Sequence, residues 1–382
     1  MNLIILDNWS DLQALRPAWL RLLAGSPGDS LFATPEWIES WVGTLGKQEL
    51  IRFVAAFEDG DLAGLMPLGI ARGNWRELGG RRLEFISGRR ADYHDAIVSR
   101  EREKEIIPRL MEEALRLLGP IGFMVLHHLP EDSANLPIFR EMVAGRGFKY
   151  NEVVSTAPYL LLDRSLPNFK SIWHKSHRDD LRRQRNHLEK MGALSLHICH
   201  DPQQVLERLP GFFETHRRLW LVRGKRSRVG NDPHTQAFLR RLVTTLGCTE
   251  PQKRVHFSTL NLDDGPISYH FGFVYRDRFL YYVPTHRIEL EKYSPGKVHL
   301  HYLIEHGLAH ESWQVFDFMM GAESYKYQWT RTERKIYDLV VSKRSLLGAV
   351  RRWWLTSGKD RARDFLDKMP RFRLPRFLGE RR

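Results

Sequence analysis

Three short stretches carry the residue types that do chemistry. The segment "GAESYKYQW" (321–329) sets Glu323, Tyr325 and Lys326 close behind a glycine, just after the apolar run "WQVFDFM" (313–319). Gly321 permits a sharp turn off a strand end, where sites in α/β folds commonly lie, and Glu323 is placed to act as a base. An aromatic packing turn with a Glu–Lys pair fits the same letters. Asp317 interrupts the apolar run itself. A carboxylate inside a buried strand is costly unless it is paired or borders a cavity, so it is a catalytic or orienting candidate. A partner arginine or backbone amides would satisfy it equally well. In "SYHFGF", alternation puts His270 on one face with Ser268 and Gly272. A histidine titrates near neutrality and suits removal of an acceptor's proton, while a core histidine bonded to backbone is the ordinary alternative.

A second kind of chemistry, anion binding, is suggested by "KYSPGKVHLHYLIEHGLA" (292–309). Ser294 reads as an N-cap, Pro295 suits the first helical position, and Leu300, Leu303, Ile304 and Leu308 give a buried stripe. Gly296 is a poor helix former whose merit is bare backbone, leaving its N–H and that of Lys297 at the positive end of a helix, an arrangement that suits phosphate. A plain capped helix start explains the same residues. Pro284, near the end of "RFLYYVPTH" (278–286), suggests a bulge or a strand end that frees a backbone N–H, or simply the end of an edge strand. The basic run "WHKSHRDDLRRQRNHLEK" (173–190) aligns Lys175, Arg178, Arg182 and Arg185 roughly as one helical stripe. It suits a phosphate-bearing or acidic acceptor, or is a solvated face paired with Asp179, Asp180 and Glu189. Trp37 and Trp41 offer faces for a sugar, although such residues more often fill a core. His306 and His310 share a helix face without an HExxH frame, so no metal is expected; nor is there a Walker loop or a GxGxxG.

The elements that must position these residues repeat. In the first half, "IRFVAAFEDGDLAGLMPLGIARG" (51–73) reads as strand, Asp59-Gly60 turn, strand; a helix over 101–119 and a buried strand over 121–129 follow. In the second, 254–275 reads as a hairpin turning at Asp264-Gly265, then comes the strand 278–286, the helix from Ser294 and the strand 313–319. Hairpin, helix, strand occurs twice, which predicts a duplicated α/β unit with mixed sheets. The first copy's helix opens with acidic "SREREKEII", which would repel a phosphate. If one copy binds a phosphorylated ligand, it is the second.

The chain of 382 residues, 42% hydrophobic and 27% charged, has room for two domains and no apolar run long enough to span a bilayer. "MNLIILDNWS" lacks the basic start of a signal peptide, and Cys199 and Cys248 form no CxxC, so a reducing cytoplasm is expected. The net charge of +13 is concentrated: Ser342–Arg382 holds 13 Lys+Arg against 4 Asp+Glu. That tail, with a Trp pair and Phe-Arg alternation, suits an anionic surface such as the inner membrane or contact with a partner such as a synthase; the same composition could serve RNA, an acidic partner or nothing specific. The expected organisation is 1–160, 161–342 and a basic tail, 343–382.

These pieces, together with "LFATPEWIESWV" (31–42), "SHRDDLRRQRNHLEKMGAL" (176–194), "ISYHFGFVYRDRFLYYVPTH" (267–286) and "FDFMMGAESYKYQW" (316–329), resemble the GNAT acyltransferase superfamily in its duplicated, FemAB-like form. More narrowly they resemble CelD-like, cellulose-biosynthesis-type acetyltransferases. The resemblance implies tandem GNAT-like domains, of which the first lacks the phosphate loop, and acetyl-coenzyme A or another acyl-coenzyme A as donor. It implies work on an amino sugar, polysaccharide or other envelope precursor. Ser294, Gly296 and Lys297 would then hold the coenzyme A pyrophosphate, with Pro284 in the splayed strand beside the pantetheine arm. Tyr325 would protonate the leaving thiolate and Lys326 would stabilise the reacting carbonyl, with His270, Asp317 or Glu323 as base. Lys175, Arg178, Arg182 and Trp37 would face the acceptor. Two alternatives remain: an aminoacyl-tRNA donor, with the basic helix touching RNA, or a non-catalytic scaffold acting through its tail.

Overall fold

The computed structural model describes residues 1–46, 50–72, 81–119, 122–144, 147–165, 172–247 and 254–358. The first half supplies β1 (Asn2–Leu6), β2 (Leu50–Ile51), β3 (Phe53–Glu58), β4 (Asp61–Met66), β5 (Leu68–Arg72), β6 (Arg81–Phe85), β7 (Ile97–Val98), β8 (Phe123–Pro130) and β9 (Phe148–Leu161). The second supplies β10 (Leu194–Cys199), β11 (Val255–Leu262), β12 (Gly265–Tyr275), β13 (Arg278–His286), β14 (Val315–Asp317) and β15 (Glu333–Lys343). A small sheet runs β1-β3-β4-β7, and a large one runs β10-β11-β12-β13-β14-β9-β15-β8-β6-β5-β2.

Hairpin, helix and strand recur as the sequence suggests. β3 and β4 turn at Asp59 (φ 51°) and Gly60 (φ 91°), two left-handed positions in a row, as a tight hairpin of matching twist requires. The β11–β12 turn falls one residue earlier than its Asp-Gly pair implies: Asp263 takes the positive φ (52°), and Gly265 is already the first residue of β12. Each hairpin is followed by a helix, Glu103–Arg116 or Pro295–His310, and then by a strand that lies parallel to an earlier one, β8 to β6 and β14 to β13.

The halves are joined by exchange of their last strands. β9 ends the first half yet pairs with β14, and β15 ends the second half yet lies between β9 and β8. The central β9–β15 ladder runs from Glu333↔Pro158 to Lys343↔Phe148. Neither half can therefore complete its sheet alone.

The main core is likewise shared. Trp37, with no exposed surface, packs edge-on against Phe32 (4.7 Å), Phe238 (5.2 Å) and Phe273 (5.7 Å), rings drawn from both halves. Trp41 meets the same Phe238. These tryptophans cement the two halves, so the acceptor-facing role considered for Trp37 is corrected: no sugar reaches its face. Of the basic tail, 359–382 lies outside the described residues. Its described beginning is a short helix, Leu346–Trp353, capped by the Ser345 side chain.

Candidate active site

A cavity opens where two parallel strands part. β13 and β14 pair only from Arg278–Leu280 to Val315–Asp317. Beyond that, β13 stays with β12 as far as His286, while the chain after β14 turns to β9: Phe318 N–H donates to Pro158 O (3.0 Å) and Gly321 N–H to Thr156 O (2.9 Å). Met319 (φ 62°) and Gly321 (φ 113°) make that departure in left-handed backbone. The φ of Gly321 is one that L side chains rarely adopt, so the position favours glycine.

The edge of β13 that faces the opening can be read from its pairing. Arg287 N–H bonds to Ile267 O at 2.9 Å, and hydrogen-bonded pairs alternate along an antiparallel ladder. Tyr269↔Thr285 and Phe271↔Val283 are then the bonded pairs, and the backbones of Tyr282, Pro284 and His286 point away from β12. Pro284 has no N–H, so the donors on this edge are the amides of Tyr282 and His286 rather than one freed at Pro284.

The space is about 780 Å³, with Leu219, Trp220, Leu300, Phe318 and Trp329 among its apolar walls. One end is the start of the Pro295–His310 helix. Ser294 stands at the N-cap as expected, but in left-handed backbone (φ 49°, ψ 50°) and with no capping bond from its side chain. Its carbonyl instead takes the N–H groups of Lys297 (2.9 Å) and Val298 (3.2 Å). The Lys297 amide is thus occupied, and its Nζ is held by Asp180 Oδ2 at 2.7 Å. Gly296 carries the first-turn amide that has no partner among the described residues, at the positive end of the helix dipole. Gly296 leans on His286, whose Nδ1 would lie 3.2 Å from an added Cβ. His286 Nε2 is buried without a hydrogen-bond partner, and burial, reinforced by Arg223, pushes its pKa down to about 4. A neutral imidazole therefore stands beside the bare amide.

The other end carries ionisable groups. Lys326 is buried; its Nζ donates to the carbonyls of Met319 (3.1 Å), Met320 (2.7 Å) and Gly321 (3.2 Å) and pairs with Glu323 Oε2 at 2.9 Å. Three protons already face four acceptors, so Lys326 clamps the loop after β14 and has no spare N–H for a reacting carbonyl. Glu323 is exposed, at the rim. Tyr325 lines the cavity with part of its ring exposed, and the desolvation of its hydroxyl, with Glu323 nearby, raises its pKa and holds it protonated. Facing them is Asp92, from the first half. It accepts the Met320 N–H at 3.1 Å and keeps part of its surface open to the cavity. Burial pushes its pKa up to about 7, against the opposing pull of Lys326.

Two expected bases lie elsewhere. His270 has no exposed surface, stacks on Tyr281 at 4.4 Å, and is neutral because burial holds its pKa well below the usual value. Asp317 is wholly buried, accepting from Tyr93 Oη (2.8 Å) and Met319 N–H (2.8 Å), with Arg334 at 3.6 Å. It ties the halves together at the end of β14, just outside the cavity lining. Lys175, Arg178 and Arg182 lie on the Lys175–Glu189 helix, outside the cavity lining; Arg182 pairs with Asp179 at 3.1 Å. What that helix gives the site is Asp180. Among the described residues, metal-ligand types gather at His127, His128 and Asp338, away from the cavity. Burial opposes charge on His127, but hydrogen bonds to Asp338 (3.2 Å) and Glu84 (3.0 Å) outweigh it and raise its pKa, which suits an imidazolium between carboxylates.

Sequence reasoning brought Pro284, Ser294, Gly296, Lys297, Glu323, Tyr325 and Lys326 to one cavity, and missed Asp92, His216 and His286. Asp92 lies in "ADYHDA" (91–96), a polar run within a stretch read only as variable. Two acids and a histidine in six residues that join two buried strands were the available signal.

Residues 175–327 match the acetyltransferase (GNAT) domain family. The second half of the chain therefore carries an acetyltransferase (GNAT) domain. Over nearly its whole length it is similar in fold to FemX (TM-score 0.58, 10% identity, covering 89% of this chain and 97% of that one). It is also similar to the C-terminal domain (DUF2156) of a putative lysylphosphatidylglycerol synthetase from Agrobacterium fabrum (0.52, 12%, 91% and 96%). A third likeness is to L-PGS from Bacillus licheniformis (0.51, 15%, 86% and 97%). No curated protein matches the chain by sequence.

Proposed function

We propose that the cavity is the transfer site of an acyl-coenzyme A-dependent N- or O-acyltransferase, with acetyl-coenzyme A or a longer homologue as donor. The acceptor is an amino sugar, polysaccharide unit or other envelope precursor. One observation carries this reading: a single cavity runs from the bare Gly296 amide, past the open edge of β13, to Asp92 and Tyr325. The helix start suits a pyrophosphate, and the neutral His286, whose Nδ1 faces Gly296, adds no charge to repel or neutralise it. The Tyr282 and His286 amides give the pantetheine arm a strand edge to pair with and the thioester oxygen a donor as it gains charge. Asp92, with a pKa of about 7, is partly ionised at neutral pH and takes the acceptor's proton as its nitrogen or oxygen bonds to the acyl carbon. The C–S bond breaks, and the thiolate receives the proton of Tyr325.

Calorimetric titration with acetyl- and longer acyl-coenzyme A tests the donor assignment, with Gly296→Glu as control. Micromolar binding lost in the variant is the expected result; no heat from any acyl-coenzyme A refutes it. A second reading, an aminoacyl-tRNA donor, is favoured by the exposed Lys175, Arg182 and Arg183 on the helix that holds Lys297 through Asp180. It predicts salt-sensitive tRNA binding that Gly296→Glu leaves intact.

A further inference from the structure

The helix Leu346–Trp353 is built inside out. Its exposed side chains are apolar: Leu346 is 84% exposed, Leu347 47%, Val350 45% and Trp353 47%. At about 100° per residue these four share an arc of roughly 120°. The opposite face is turned inward, with Gly348 and Arg351 buried and the Arg351 guanidinium 4.7 Å over the Phe123 ring. A surface helix of a globular protein normally does the reverse, burying its apolar stripe and exposing its charge. Leu355, just beyond, packs on the apolar patch of Phe123, Val125 and Val340 and fixes this orientation.

Charge decides what covers the stripe. The chain leading into it is positive, with Lys343 and Arg344 exposed before the helix. The residues that follow, 359–382, contain nine Lys+Arg and four Asp+Glu. Folding that segment back over the helix would set positive charge on positive charge, and a second copy of the chain would do the same. An anionic lipid surface satisfies both features: it takes up the leucines and the tryptophan at the acyl boundary and attracts the basic residues on either side. No described helix is long and apolar enough to cross a membrane.

We propose that the Leu346–Trp353 face docks the protein on an anionic membrane. The inference is independent of the transfer chemistry, and its readouts involve no catalysis. The full chain is sedimented with phosphatidylcholine vesicles and with vesicles carrying about 30% phosphatidylglycerol. At least tenfold stronger binding to the anionic vesicles is expected. A Leu346→Gln/Leu347→Gln/Trp353→Gln variant, unchanged in circular dichroism and Tm because its substitutions are exposed, should bind them at least tenfold more weakly. Absence of binding to either vesicle overturns the proposal. So does undiminished binding by the variant, which would leave only non-specific attraction by the basic segment. A lipid-free dimer in sedimentation velocity that the variant dissociates also overturns it, and assigns the face to a second copy.

Discussion

Asp92→Asn should make the protein more stable and nearly inactive, and the stability change should depend on pH. The carboxyl group has a pKa of about 7 in the folded chain against an ordinary value of 3.8. The folded state therefore holds a proton that the unfolded state has already released. Below about pH 4 both states are protonated and Asp92 carries no penalty. As pH rises the native carboxyl must ionise at the cavity wall, and its contribution to stability is lost until pH passes about 7. The shift corresponds to an upper bound of about 4 kcal/mol, reached only to the extent that cavity water does not solvate the charge. The asparagine carbonyl can still accept the Met320 N–H, so the variant removes the titration and little else. Thermal unfolding of both proteins from pH 4 to pH 9 should show a gap that widens with pH and levels off above 7. For a chain of this size the plateau is at most about 5 °C. Transfer to an amine acceptor should fall about 10²- to 10⁴-fold in kcat/KM, and the acid limb near pH 7 should disappear. A Tm difference that stays flat from pH 5 to pH 8 would show that Asp92 is an ordinary ionised surface acid and would refute its assignment as base.

Other perturbations separate clamp, seam and core. Lys326→Met removes the cation that gathers three loop carbonyls, so kcat should fall more than donor affinity, with about 2–3 kcal/mol lost in denaturant unfolding. If kcat survives, the lysine is no more than packing. Tyr93→Phe deletes the hydroxyl that bonds Asp317 and should cost about 1–2 kcal/mol while leaving coenzyme A binding unchanged by calorimetry. Trp37→Ala should cost about 3–5 kcal/mol, seen as a lower urea midpoint, because it empties the core between the halves. Retained stability with a selective loss of acceptor affinity would restore Trp37 to the acceptor site.

The difference between what was legible and what was not follows the range of the interactions. Asp59-Gly60, the Pro295–His310 helix and β13 are governed by neighbours a few residues away, and the residues that shape them announce them. Gly296 was legible for the same reason, since its use lies in its own backbone. Ser294 marks the limit of such local reasoning. Serine before a helix normally caps it, but the chain enters directly from the turn Ile288–Tyr293, and Ser294 takes left-handed backbone that turns its carbonyl, not its hydroxyl, to the helix. His270 and Asp317 were drawn toward the site by a rule that is sound but incomplete. A polar group in a buried strand needs a reason, and either a cavity or a partner supplies one. Asp317 found its partner in Tyr93, 224 positions away, and no pattern within β14 encodes that distance. Asp92 is the converse case. It belongs to the first half and reaches the second half's cavity only because β9 and β15 exchange places and bring the loop after β14 against residues 91–95. Strand exchange leaves no local signature, since β9 and β15 lie far apart in the sequence and nothing within either strand names its partner. The base proposed for the reaction was thus hidden by the same topological step that makes the two halves one enzyme. A half expressed alone would keep Gly296 and Lys326 but lose Asp92.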